Sequence, residues 1–347
     1  MSNIQKHFRT FHDAIKLSKQ DSAYKSARER DDSITKDVRK AFKDAGYPVI
    51  EDFIQGSFST DTAILKKAGD FDIDRAIVID ASDAPDNPVK PKVTICDDVL
   101  EKRGFKNRKI KKPCVTADYT SENLHIDFPV YRKTGDSYQL AIGKRNSDED
   151  NRKWDASDPK GLKSWIKDKS SYYGSADDKL LQFNRTVRYL KRWRDEQFSE
   201  SVASKVYSIG ITVMAKECFS ASFDDNGAPD DLTSLKATVS QILSQGYFSR
   251  TINTEQYNVT VNIPVNPWRD IFDGSSIDTG TQFKNKLSRL ENKLQEAISE
   301  ENEVKQCKIL REMFGDDFPV PDQPKKSTAK KKVVYASAGS VGTSQGA

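Results

Sequence analysis

Three aspartates in two segments of this 347-residue chain are spaced to do chemistry together. In GDFDIDRAIVID, Asp72 and Asp74 stand two apart in a segment that runs on into Ile77-Val78-Ile79 and reads as a central strand. Residues two apart on a strand project from one face, so Asp72 and Asp74 point together while Phe71, Ile73 and Arg75 point the other way. In NLHIDFPVY, Asp127 shares a face with His125, opposite Leu124, Ile126 and Phe128. If the two strands are neighbours, three carboxylates converge on one patch. Burying them without a partner costs several kcal/mol. Divalent cations remove that cost, and hard carboxylate oxygens suit Mg²⁺. Two such ions about 3.5–4 Å apart activate one oxygen and stabilise a leaving one in phosphoryl transfer.

Gly56-Ser57 precedes the pair by 14 residues, at the end of the short strand YPVIEDFIQ. Glycine lets a backbone approach a phosphate closely, and the exposed amides and hydroxyl at a helix start can hold its oxygens. Asp70 is read as a flanking residue, because the apolar strand continues directly from Asp72 and Asp74. His125 is read as a structural, strand-facing histidine, and Trp154 and Trp165 as packing residues.

Composition narrows the remaining classes. Charged residues make up 31% of the chain, and the mean hydropathy is -0.72. No apolar run approaches the roughly 20 residues of a membrane-spanning helix, and the N-terminus has no signal-peptide core, so a cytoplasmic protein is expected. Cys96, Cys114, Cys218 and Cys307 are scattered, and there are only three histidines. That pattern argues against a disulfide framework or a zinc site. The net charge of +4 is mild and sits partly in a lysine cluster near the C-terminus, so long nucleic acid is not demanded.

The elements that must position these residues follow from periodicity. Residues 1 to 45 read as helical, with Gly46 as a C-cap. SFSTDTAIL reads as a turn or short helix, VTICDDVLEKRGF as a helix, and CVTADYT, NLHIDFPVYRK and QLAIGK as strands. The chain then looks irregular from Asp148 to SDPKGLKSWIKDK, a helix with Ser157 as N-cap and Pro159 early. A strong helix spans about 176 to 198, with Leu180, Phe183, Val187, Leu190 and Trp193 as its apolar stripe. A buried helix follows over SKVYSIGITVMAKECF, and a long polar one from Thr281 to Met313. The last 24 or so residues cannot bury a core. The picture is an N-terminal α/β half and a mainly helical C-terminal half closing over a cleft.

The ordered set QGSFSTDTAI, GDFDIDRAIVI, HIDFPVYR, WDASDPKGLKSWI, FNRTVRYLKRWRD with YSIGITVMA, and FGDDFP resembles the bacterial cGAS/DncV-like nucleotidyltransferases, the CD-NTases. The resemblance implies an α+β fold: a polymerase β-like nucleotidyltransferase core with a mixed sheet, a helical C-terminal lobe, and a cleft between them. The expected division is 1–150 for the core with its N-terminal helix, 151–322 for the helical lobe, and 323–347 for a flexible tail. It implies synthesis of a cyclic di- or trinucleotide second messenger from ATP, GTP or other NTPs, in anti-phage (CBASS) signalling. Two Mg²⁺ ions, replaceable by Mn²⁺, would be held by Asp72, Asp74 and Asp127. Gly56, Ser57, Lys191 and Ser208 would bind the donor nucleotide. The alternative within the superfamily is a terminal transferase acting on RNA or protein. No His/Cys cluster supports zinc-dependent DNA binding. The tail is compatible with handling by ubiquitin-like conjugation machinery, as in some relatives, although it lacks a Gly-Gly end and its composition alone describes a disordered segment.

Overall fold

The structure, a computed structural model, describes residues 3–65, 71–172 and 174–322. Asp70 and the tail from 323 onward, with its suggested conjugation, lie outside the described residues.

The N-terminal region expected as one helical stretch is two helices, α1 (Asn3–Ile15) and α2 (Ser22–Asp44). Between them, Leu17 donates its N–H to Ala63 and Leu65 donates to Ile15, so the chain crosses beside residues 63–65. α1 buries Ile4, Phe8, Phe11 and Ile15 among helices of the C-terminal half. α2 instead buries Ala27, Ile34, Val38 and Phe42 against the sheet. The stretch breaks because its two parts serve different cores.

The sheet has eight strands: β1 (Val49–Gln55), β2 (Phe71–Asp80), β3 (Lys109–Ile110), β4 (Val115–Tyr119), β5 (Leu124–Phe128), β6 (Val130–Thr134), β7 (Ser137–Ile142) and β8 (Lys153–Ser157). β2 is central. It pairs antiparallel with β1 along one edge and parallel with β5 and then β6 along the other. β5 and β6 are the expected strand NLHIDFPVYRK, interrupted at Pro129, which lacks an N–H for the ladder. Beyond that break, β5 takes β4 as its antiparallel partner and β6 takes β7. β8 was expected as irregular chain. It becomes a strand because β7 offers it an edge over Tyr138–Ile142. A four-residue helix, α3 (Gly56–Ser59), leaves β1, and α4 (Val89–Val93) runs on into π-helical turns over Thr94–Glu101.

The C-terminal half contains α5 (Pro159–Lys167), α6 (Ala176–Gln197), α7 (Glu200–Ala203), α8 (Ser208–Glu217), α9 (Asp231–Ser244), the hairpin β9 (Phe248–Arg250) and β10 (Tyr257–Val259), α10 (Ile277–Ser299) and α11 (Glu303–Phe314). α5 is capped by Asp158, which accepts from the Gly161 N–H at 2.7 Å, and not by Ser157, which closes β8. The long polar helix expected over 281–313 is divided, because Asn302 caps a new helix by accepting from the Lys305 N–H.

On the face of β2 opposite Asp72 and Asp74, Arg75 ties the sheet to α2. Its guanidinium donates to both oxygens of Asp31, at 2.7–3.1 Å, and to Asp52 at 2.8 Å. Asp31 is fully buried and also pairs with Arg28. Removing one partner of a buried pair leaves a stranded charge, which typically costs about 3–5 kcal/mol. Arg75→Met should therefore lower the urea-unfolding free energy by about that much. The exposed i,i+4 pair Lys102–Asp98 is the control: Lys102→Met should change it by less than about 1 kcal/mol.

Candidate active site

A cavity of about 470 Å³ opens between the sheet and helices α5, α6 and α8. Gly56, Ser57, Asp72, Asp74, Asp127, Lys191 and Ser208 all line it. These seven residues come from five elements spread over 150 positions, and the fold brings them to one wall system.

One side is acidic. In the parallel pairing of β2 with β5, Asp72 lies opposite His125 and Asp74 opposite Asp127. Burial, then the charges of Asp127 and Asp72, raise the Asp74 carboxyl to about 7. Gly56, at φ +66°, packs so tightly that a Cβ there would collide with the Asp74 carboxylate. Glycine is thus required by the aspartate behind it, independently of any ligand in front. Asp127 accepts from Thr116 Oγ1 and, at 3.3 Å to each oxygen, from Lys111 Nζ. Buried Lys92 fixes the turn carrying Lys111 by donating to the carbonyls of Lys111 and Lys112, both at 2.8 Å. His125, opposite Asp72 in the pairing, has its Nδ1 3.4 Å from Asp118.

Among the described residues no three acidic, histidine or cysteine side chains already form a metal cage. The donor chemistry nevertheless fits a hard divalent ion. All the candidate ligands are carboxylates, and burial beside Asp127 and Asp72 holds the Asp74 carboxyl against ionisation, a cost that a cation would offset.

The facing side is basic. Lys191 is buried; it donates to the Thr62 carbonyl at 3.0 Å and to Thr62 Oγ1 at 3.3 Å. Burial, with Arg194 and Arg188 nearby, lowers it to about 7. Arg188 donates to the carbonyls of Ala63 and Asp61, and Arg192 to that of Leu65. Arg194 Nη1 donates to Ser208 Oγ at 2.7 Å and so orients the hydroxyl that starts α8. Sequence reasoning missed Arg194, Thr62 and Lys111. For Arg194 the signal was present: it follows Lys191 by one helical turn and shares its face.

One wall demands a cation and the other an anion. Residues 1–170 match the Second Messenger Oligonucleotide or Dinucleotide Synthetase domain. The chain is 28% identical over 188 residues to a cyclic GMP-AMP synthase of Escherichia albertii, covering 52% of this chain and 40% of that protein. It therefore spans less than half the length of that curated relative. The fold is that of the Bradyrhizobium diazoefficiens CD-NTase CdnG solved with GTP (TM-score 0.65, 14% identity, 91% of this chain and 96% of the other). It is also that of CdnC of E. coli MS115-1 solved with ATP (TM-score 0.61, 18% identity, 90% and 98%). The chain resembles that synthetase domain over its N-terminal 170 residues and has the fold of the CD-NTases. Like those CD-NTases, it combines a polymerase β-like mixed sheet with a helical C-terminal region. No helix among the described residues is long and apolar enough to cross a membrane.

Asp74 supplies a prediction about stability. Its folded-state value, about 7, lies above the unfolded value near 3.8. Its contribution is therefore fully present below about pH 4 and lost as pH rises through 7. Metal-free Asp74→Asn should melt several degrees above wild type at pH 8, with the difference vanishing near pH 4. Adding MgCl₂ should raise the melting temperature of wild type but not of the Asp72→Asn/Asp74→Asn double variant. Calorimetry across pH checks both.

Proposed function

We propose that this chain is a CD-NTase, a metal-dependent nucleotidyltransferase that joins nucleoside triphosphates into a cyclic di- or trinucleotide, a second messenger in anti-phage signalling. The observation that carries the reading is the contrast between the two cavity walls: Asp74 with Asp72 and Asp127 on one side, and the buried Lys191, bound only to neutral oxygens of Thr62, on the other. A nucleoside triphosphate with its divalent ions supplies a cation to the first and an anion to the second. Further support comes from the synthase name of the E. albertii relative and from the GTP and ATP held by CdnG and CdnC.

Asp72, Asp74 and Asp127 would hold two Mg²⁺ ions, or Mn²⁺ in their place. Bound there, the ions lower the pKa of the acceptor ribose hydroxyl and neutralise the leaving pyrophosphate. The chain's own groups do the rest. Gly56 and Ser57 hold the donor triphosphate where α3 begins. Lys191 and Ser208 grip it from the helical side, with Arg194 setting the Ser208 hydroxyl. Asp127 assists removal of the attacking hydroxyl's proton, after exchanging its contact with Lys111. The buried wall limits competing attack by water.

The test is incubation with all four NTPs and MgCl₂, then phosphatase treatment and mass spectrometry. A phosphatase-resistant mass identifies a ring and its bases. Asp72→Asn/Asp74→Asn should abolish that product while keeping the wild-type circular dichroism spectrum. Product retained in the double variant, or linear products alone from wild type, would overturn the assignment.

A further inference from the structure

Lys160, Lys163 and Lys167 stand three and four residues apart on α5 and share one stripe of the helix. The outer two are held by carboxylates. Lys160 Nζ pairs with Glu51 on β1 and lies 5.1 Å from the centre of the Phe53 ring, and Lys167 Nζ donates to Asp61 at 2.8 Å. The side chain of Lys163, between them, is exposed and makes no hydrogen bond or ion pair among the described residues. It nevertheless lines the cavity. The other basic side chains there are committed: Lys191 donates to Thr62, and Arg194 to Asp195, Val206 and Ser208.

The two outer pairs decide where Lys163 stands. Glu51 precedes Gly56-Ser57 in the chain and Asp61 follows it, so α5 is laid along residues 51–61. Its middle therefore comes over the turn from β1 into α3. The surfaces agree. Lys163 lines the main cavity together with Gly56 and Ser57, and with Gln55 and Pro159 it also lines a second groove of about 210 Å³. Most exposed lysines do no more than hydrate a surface. This one stands in the cavity, beside the turn assigned to the triphosphate, in a stripe whose other members already have carboxylates. A lysine ammonium is a mobile point charge on a long stem, suited to phosphate oxygens, and Lys163 has no protein contact to break first. Resting on the nucleotidyltransferase reading above, we propose that Lys163 is a further substrate-positioning residue that binds the outer phosphates of the donor nucleoside triphosphate. With the reacting phosphate at the aspartates, the β- and γ-phosphates lie along Gly56 and Ser57, under α5. Lys163 closes over them from the side opposite the turn.

Binding is measured by calorimetry on the full chain, with Ca²⁺ in place of Mg²⁺ to suppress turnover. The probes are the mono-, di- and triphosphates of the four ribonucleosides, and inorganic tripolyphosphate. Lys163→Gln should weaken tripolyphosphate and whichever triphosphates wild type binds by about tenfold, the loss of one charge-assisted contact. The matching monophosphates, which do not reach it, should stay within about twofold. Lys163→Arg keeps the charge and should bind triphosphates within about threefold of wild type, whereas Lys163→Glu should bind them more weakly than Lys163→Gln. Lys160→Gln is the control for a general field: it removes the same charge from the same helix, where Glu51 already holds it, and should cost less than about threefold. Because these side chains are exposed, every variant should keep the wild-type circular dichroism spectrum. No loss in Lys163→Gln, an equal loss for mono- and triphosphates, no restoration by arginine, or an equal loss in Lys160→Gln would overturn the inference and leave the nucleotidyltransferase reading intact. Failure of wild type to bind any of the four triphosphates would overturn that reading itself.

Discussion

The site depends on the way three cations of α6 are tied to a short run of backbone. Arg188, Lys191 and Arg192 donate to carbonyls of residues 61–65, the segment between α3 and β2. That segment also exchanges backbone bonds with the chain between α1 and α2. Neutral carbonyls are weak counter-ions, so for Arg188 and Lys191 the arrangement holds position with little cancelling of charge, while Arg192 also pairs with Asp317 at 3.3 Å. Burial lowers Arg188 to about 10 and Lys191 to about 7. The basic wall is thereby fixed against the end of the carboxylate strand.

The carboxylate side shows the complementary economy of means. Arg75, on the far face of β2, is saturated by Asp31 and Asp52. Asp74, on the near face, is crowded by like charge and pressed against Gly56. One strand therefore carries an ion cluster that holds the fold on one face and a crowded carboxylate on the other. Strain of this kind tends to collect at functional sites, where surrounding structure supplies the stability that the site lacks. Lys111 moderates it at Asp127, and its half-exposed ammonium is the contact that can be given up most cheaply.

Much of this was legible in advance, for identifiable reasons. Strand periodicity placed Asp72 and Asp74 on one face, and the apolar run after them marked β2 as central. The apolar stripe of α6 was correctly read, with Phe183, Val187, Leu190 and Trp193 buried. What could not be read were choices made by distant partners. β8 is a polar segment that is a strand only because β7 lies beside it. The break between α1 and α2 reflects two cores competing for adjacent segments of chain. Asp158 displaced Ser157 as a cap once Ser157 had been taken into the sheet.

By itself the sequence determined the kinds of group present and their local alternation: two aspartates on one strand face, a third on another strand, and a lysine on an amphipathic helix. These follow from backbone geometry over a few residues, which needs no knowledge of neighbours. The tertiary structure decided which of those groups meet and in what electrostatic state. Asp74 became adjacent to Asp127 through parallel pairing of strands some fifty residues apart. Lys191 was buried by packing against a loop 129 residues away. Charge becomes costly when solvent is removed, and only the packed chain removes it.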